Sequence, residues 1–124
     1  MGKGKIESFE DLEVYQKLCE LHLEISEASL KFPKFELYEL GSQVRRSSNS
    51  APANLAEGWN NRHLNIYLEG INRSMGELQE TLHHLRMAFR KGYFDRGQYE
   101  GYRERYLEAG RMLRGLERSL SDSK

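Results

Sequence analysis

The chain is poor in the residues that staple or interrupt small proteins. Cys19 is the only cysteine, so no disulfide can form within the chain, which suits a reducing compartment. The only two prolines, Pro33 and Pro52, lie in the first half. Strand-like alternation is absent, leaving an all-α class. No apolar run approaches the ~18–20 residues of a membrane span, and no apolar signal core follows Met1. Gly2 follows Met1, but Ile6 stands where a myristoylation pattern wants Ser or Thr. A cytoplasmic protein is expected. Charge of neither sign prevails: 19 Lys and Arg balance 19 Asp and Glu, which excludes attachment to nucleic acid by net charge alone but leaves room for local patches. Also missing are a Gly-rich phosphate loop, a Ser-His-Asp set and clustered metal ligands. The expectation is a protein that is not an enzyme and needs neither cofactor nor metal.

What is present in quantity is helical periodicity. Leu64, Leu68, Ile71, Met75, Leu78, Leu82, Leu85 and Phe89 step by four and three along one stripe. Tyr99, Tyr102, Tyr106, Ala109, Leu113, Leu116 and Leu120 form a second. Apolar residues at those steps share one side of a helix and require partner helices. Two earlier stripes complete the set. Val14, Leu18, Leu21, Ile25, Ala28 and Phe32 precede Pro33, and Leu37, Leu40, Val44, Ser47, Ala51, Leu55 and Gly58 follow it. A chain of 124 residues is one domain with enough length to bury a core unaided. The pattern predicts an up-down antiparallel four-helix bundle over residues 9–120, after a loose lead at 1–8 and before a frayed tail at 121–124. Its inward positions read as almost entirely apolar.

Boundaries follow from capping chemistry. Ser8 with Asp11 predicts the start of the first helix, and the second stretch begins near Glu36. Pro52 predicts a kink or a broken turn. The third helix runs from about His63 to Lys91, with Gly92 as a left-handed C-cap. Asp95 with Gln98 opens the fourth, whose Gly101, Gly110 and Gly115 lie off the apolar stripe.

Several segments resemble the 23S rRNA intervening-sequence proteins. They are Phe9-Glu10-Asp11-Leu12-Glu13-Val14-Tyr15, Ser42-Gln43-Val44-Arg45-Arg46, Ala53-Asn54-Leu55-Ala56-Glu57-Gly58, Ser74 with Glu77-Leu78, Gly92-Tyr93 and Gly110-Arg111-Met112-Leu113. The similarity runs from about Phe9 to Leu120 and is most specific at Ala53–Gly58 with the Arg45-Arg46 pair. It implies a four-helix bundle assembling into a ring-shaped homopentamer, of bacterial origin and without established catalysis. A distant relative, the accessory subunit of diversity-generating retroelements, binds reverse transcriptase and nucleic acid. The resemblance therefore implies RNA, DNA or a nucleic-acid-binding protein as partner. Ser47-Ser48-Asn49-Ser50 and Trp59-Asn60-Asn61 depart from the family pattern.

The candidate sites each carry two readings. Arg45 and Arg46, with Asn49 beside them, can grip phosphate as forks, or pair with acids on neighbouring helices. Arg111, Arg114 and Arg118 form a basic strip on the outer side of the fourth helix, which can follow a phosphate backbone or be a solvated face interleaved with Glu108 and Glu117. Leu12, Tyr15, Cys19 and Leu23 widen the apolar arc of the first helix beyond one groove, suggesting a contact between subunits, with Trp59 as a further anchor. Asn54 and Glu57 either recognise a partner or satisfy backbone groups released by Pro52. Glu80 and His83 have a Glu-x-x-His spacing, but a di-iron site needs two such motifs pointing inward and the chain has one. His83 and His84 are expected on the surface. Two functions remain open: a homo-oligomeric bundle presenting a surface to nucleic acid or a nucleic-acid enzyme, and a protein-binding scaffold or regulatory module without nucleic acid.

Overall fold

The computed structural model describes residues 4–122. Four helices carry the fold: α1 (Glu13–Ser29), α2 (Leu40–Gly58), α3 (Leu64–Arg90) and α4 (Arg96–Asp122), with 3-10 turns at Phe9–Asp11 and Lys34–Glu36. Among the described residues there is no strand. Sequence neighbours pack on one another, α1 returns to α4, and α2 does not touch α4, so the helices stand at the corners of a square. The four-helix bundle read from the periodicity is the observed architecture. The residues at 1–3 and 123–124, parts of the expected lead and tail, lie outside the described residues. Helix α4 continues through Ser121 and Asp122, where a frayed tail was expected.

The apolar stripes are the core. Val14, Leu18, Leu21, Ile25 and Phe32 are buried with Leu40, Val44, Ala51, Leu55, Ile71, Leu78, Leu85, Tyr106, Ala109 and Leu113. Helix α3, however, buries a second file one residue back from its leucine stripe: Tyr67, Gly70, Ser74, Thr81, His84 and Ala88. That file faces α2, whose matching positions are Ser47, Ser48, Ala51 and Gly58. Small side chains here let two backbones approach. A Cβ placed on Gly70 would lie 2.9 Å from the Asn54 carbonyl oxygen and 3.1 Å from the Gly58 Cα, so both positions need glycine. About three helical turns away, the Ser47 and Thr81 hydroxyl oxygens lie 2.8 Å apart, with the Val44 and Glu77 carbonyls as further acceptors. The inward surface is thus less uniformly apolar than the heptads suggest. Ser47, Ser48 and Thr81 pair with each other or with helix carbonyls, whereas the buried Ser74 hydroxyl has no hydrogen-bond partner among the described residues.

Helix ends obey the capping signals with two corrections. Ser8 and Asp11 do form a reciprocal capping box, but it opens the 3-10 turn; α1 starts at Glu13 behind an extended Leu12. The second α-helix starts at Leu40, not near Glu36, because the Glu36 side chain turns inward. It is 1% exposed and accepts hydrogen bonds from the Leu40 amide at 3.3 Å, Lys91 Nζ at 2.8 Å and the Tyr93 hydroxyl at 2.8 Å. A continuous helix through Glu36 would leave that carboxylate in the core without those donors. Pro52 removes one amide, yet α2 runs unbroken to Gly58. Burial of Val44, Ala51 and Leu55 on either side of it holds the helix together.

Gly92 ends α3 with φ +86°. The Tyr93 amide reaches the Ala88 carbonyl and the Gly92 amide that of Phe89, a double bond pattern that closes the last turn. Asp95 and Gln98 then cap α4 reciprocally at 2.8 and 3.2 Å.

Candidate partner-contact surfaces

Arg45 lies on α2 where it meets the end of α1. Its guanidinium donates to Ser29 Oγ at 2.8 Å and to the Leu37 carbonyl at 2.6 Å. Gly41 leaves room for it, since a Cβ there would stand 2.9 Å from Arg45 Nη1. Arg45 therefore ties down the α1–α2 connection. Arg46 points to α3 and bridges Glu77 at 3.3 Å and, more closely, Glu80. Glu80 also meets His84 Nε2 at 3.1 Å. Arg46 beside it, and then His84, hold the Glu80 carboxyl below the usual carboxylate range. His84 is buried rather than exposed, because the inward file of α3 passes through it; His83 remains exposed.

Arg45, Arg46 and exposed Asn49 border one shallow polar hollow, completed by Ser42, Ser50 and Ala53 of α2 and by His22 and Ser26 of α1. His22 Nδ1 lies 2.7 Å from Ser48 Oγ, and burial pushes its pKa below 6.5. Ser48 is fully buried, so this Ser-His pair is closed to a substrate. Asn54 Nδ2 donates to the Ser50 carbonyl at 2.9 Å and to Ser50 Oγ at 3.0 Å. The carbonyl that loses its partner at Pro52 is that of Ser48, so Asn54 does not fill the role suggested for it; Glu57 is exposed.

The second basic strip is elsewhere. Arg111 sits 3.9 Å from Glu104, while Arg114 borders a groove between α3 and α4 with Asn72, Met75, Gly76 and Glu117. Arg118 is exposed. Because α2 and α4 occupy opposite corners, Arg45 and Arg46 are not brought together with Arg111, Arg114 and Arg118. Helix α4 is fastened to α1 by a two-pronged Arg105–Glu24 pair at 2.8 and 2.7 Å.

Of the five candidate interface residues, Leu12, Tyr15 and Trp59 are half-buried against the chain's own core, and Phe9 meets Tyr15 edge-on at 5.0 Å. The Cys19 thiol, helped by burial, pushes the Tyr15 hydroxyl up to about 12; Cys19 itself is half-buried. Leu23 is 67% exposed. The sequence reading missed three neighbours in kind: Leu30 at 64%, Phe35 at 70% and Tyr38 at 86% exposure. Leu30 follows Leu23 by seven residues and was readable as the same outer face. Phe35 and Tyr38 were not, because their outward direction depends on Glu36 turning in. Among the described residues no group of three or more His, Cys, Asp or Glu side chains could hold a metal ion.

A helical bundle with its most specific sequence features at Arg45-Arg46 and Ala53–Gly58 is matched by one family model, 23S rRNA-intervening sequence protein, over residues 10–115. The chain belongs to this family. No curated protein matches it. The matched span runs from the 3-10 turn before α1 into the last third of α4, so it takes in all four helices of the bundle. Within this intervening-sequence protein, the family-like Arg45-Arg46 pair and the glycine of Ala53–Gly58 have clear structural work: two anchored guanidiniums and a close helix crossing. No helix among the described residues is long and apolar enough to cross a membrane.

Proposed function

We propose that the chain is a non-catalytic, self-assembling four-helix bundle that presents a surface to a macromolecular partner, either nucleic acid or a protein that works on it. The observation that carries self-assembly is the outward pair Leu23, on α1, and Leu30, the residue that caps its C-terminal end, 67% and 64% exposed. Exposed leucines in register on one helix face mark a contact between proteins. A ring of five copies is the assembly that the family resemblance suggests. The non-catalytic part is supported by the closed pairing of the polar clusters: Ser48 with His22, Ser47 with Thr81, Glu80 with Arg46 and His84.

Light scattering on a gel-filtration column tests it. A mass near five times 14.5 kDa, falling when Leu23→Glu and Leu30→Glu are combined, is expected; a wild-type monomer would sink the reading. A scaffold that binds only protein is the second reading. It is favoured by the zero net charge and by the internal engagement of Arg45 and Arg46. Recovery of a protein partner insensitive to nuclease distinguishes it from the first.

A further inference from the structure

One end of the bundle is built from residues 30–39 and 90–96, held together by the Glu36 contacts to Lys91 and Tyr93 and by Phe32 against Tyr93 and Phe94 at 5.2 and 5.5 Å. The connection is pinned from both sides. Glu36 anchors it inward, Arg45 holds the Leu37 carbonyl, and backbone bonds from Glu36, Leu37 and Glu39 close its turns. On this fixed backbone Phe35 and Tyr38 stand 70% and 86% exposed. Rings carried on an ordered loop carry no backbone ordering penalty when something stacks on them.

The exposed charge around them is mainly positive. Lys31, Lys34 and Arg90 are exposed, and none has an acid within ion-pair distance among the described residues. Of the acids at this end, Glu36 is buried against Lys91 and Asp95 caps α4, leaving Glu39 as the open one. Lysines are depleted from protein–protein interface cores, whereas exposed rings flanked by free cations match the stacking faces and phosphates of a nucleic-acid strand.

We propose that this end binds single-stranded nucleic acid, with bases stacking on Phe35 and Tyr38 and phosphates meeting Lys31 and Lys34. The proposal rests on the reading that the bundle presents a surface to a macromolecular partner, and it moves the contact away from Arg45 and Arg46. The test is fluorescence anisotropy with labelled RNA and DNA single strands of about 12 nucleotides at ~50 mM salt, with native mass measured in parallel.

Wild type binds; Phe35→Ala with Tyr38→Ala weakens binding at least about tenfold without changing helicity or native mass. Phe35→Tyr with Tyr38→Phe, which keeps both rings, retains affinity. Lys31→Gln with Lys34→Gln lowers the salt slope by about 1.4. Unchanged affinity after ring removal overturns the proposal, as does a drop in native mass with affinity intact, which assigns the rings to a second copy of the chain. If binding is lost instead in Arg114→Gln with Arg118→Gln, the partner reading stands and this site falls. If neither strand binds wild type, both this site and the nucleic-acid form of that reading fall.

Discussion

The α2–α3 seam and the surroundings of α4 solve the same packing problem in opposite ways. The seam brings backbones together over Gly58, Gly70, Ser47 and Thr81; the Ser47 and Thr81 hydroxyls are paired there, while that of Ser74 has no partner among the described residues. Around α4 the helices stand off on larger side chains, Tyr99, Tyr106 and Leu113, with an ion-pair rim at Arg105 and Glu24. Its exposed Gly101 and Gly115 meet nothing within 4 Å, and the buried Tyr106 hydroxyl has no hydrogen-bond partner among the described residues. Close crossings tolerate no added atom, while stand-off packing tolerates additions outside and suffers from deletions inside.

The largest effect should come from deletion on the α4 side. Leu113→Ala removes a fully buried side chain and should cost about 3 kcal/mol in urea unfolding; a loss under about 1 kcal/mol would mean that the α4 layer collapses around the gap. Addition at the seam comes next. Gly70→Ala should cost about 2 kcal/mol by forcing α2 and α3 apart, whereas Gly101→Ala, in open space, should gain up to about 1 kcal/mol. Equal responses at the two glycines would erase the contrast between the regions.

Hydroxyl removal sharpens it further. Thr81→Val leaves the Ser47 hydroxyl with only the long 3.5 Å contact to the Val44 carbonyl and should cost about 1–2 kcal/mol, largely recovered by adding Ser47→Ala. Tyr106→Phe removes an unpartnered group and should be neutral or stabilising by about 1 kcal/mol; a clear loss would reveal a hydrogen bond to that hydroxyl.

The smallest effect is in pH. His22 lies below its usual 6.5 through burial, so the unfolded chain takes up a proton first and stability falls as pH drops below about 6.5. Glu24 beside Arg105, Glu36 beside Lys91 and Glu80 beside Arg46 sit below 4.5. Their contribution is present above that pH and is lost as pH falls through their folded values. His22→Asn should abolish the upper step of a pH–stability curve and keep the lower.

Much of the architecture was legible because the heptad stripes of α1, α3 and α4 and the signals at Gly92 and Asp95 act locally. Capping and periodicity depend on residues within one or two turns. Pro52 does not break α2, for the complementary reason: its local penalty is outweighed by burial against helices far away in sequence. The surface was less legible. The Arg45-Arg46 pair was visible, and so was pairing with acids of a neighbouring helix, which Arg46 makes with two glutamates of α3; that Arg45 would instead hold a loop carbonyl was not. Of the five residues chosen for an interface, only Leu23 points mainly to solvent.

The sequence by itself determined four helices, most of their ends and the apolar face of each, since hydrophobic spacing and caps are properties of consecutive residues. Only the tertiary structure decided which small residues would form the α2–α3 crossing and which arginines would be anchored. It also decided that Glu36 would turn inward and leave Phe35 and Tyr38 outside. Those outcomes depend on the partners that α2 and the turn before it meet, Thr81, Glu80, Lys91 and Tyr93, which lie some thirty to sixty residues away along the chain.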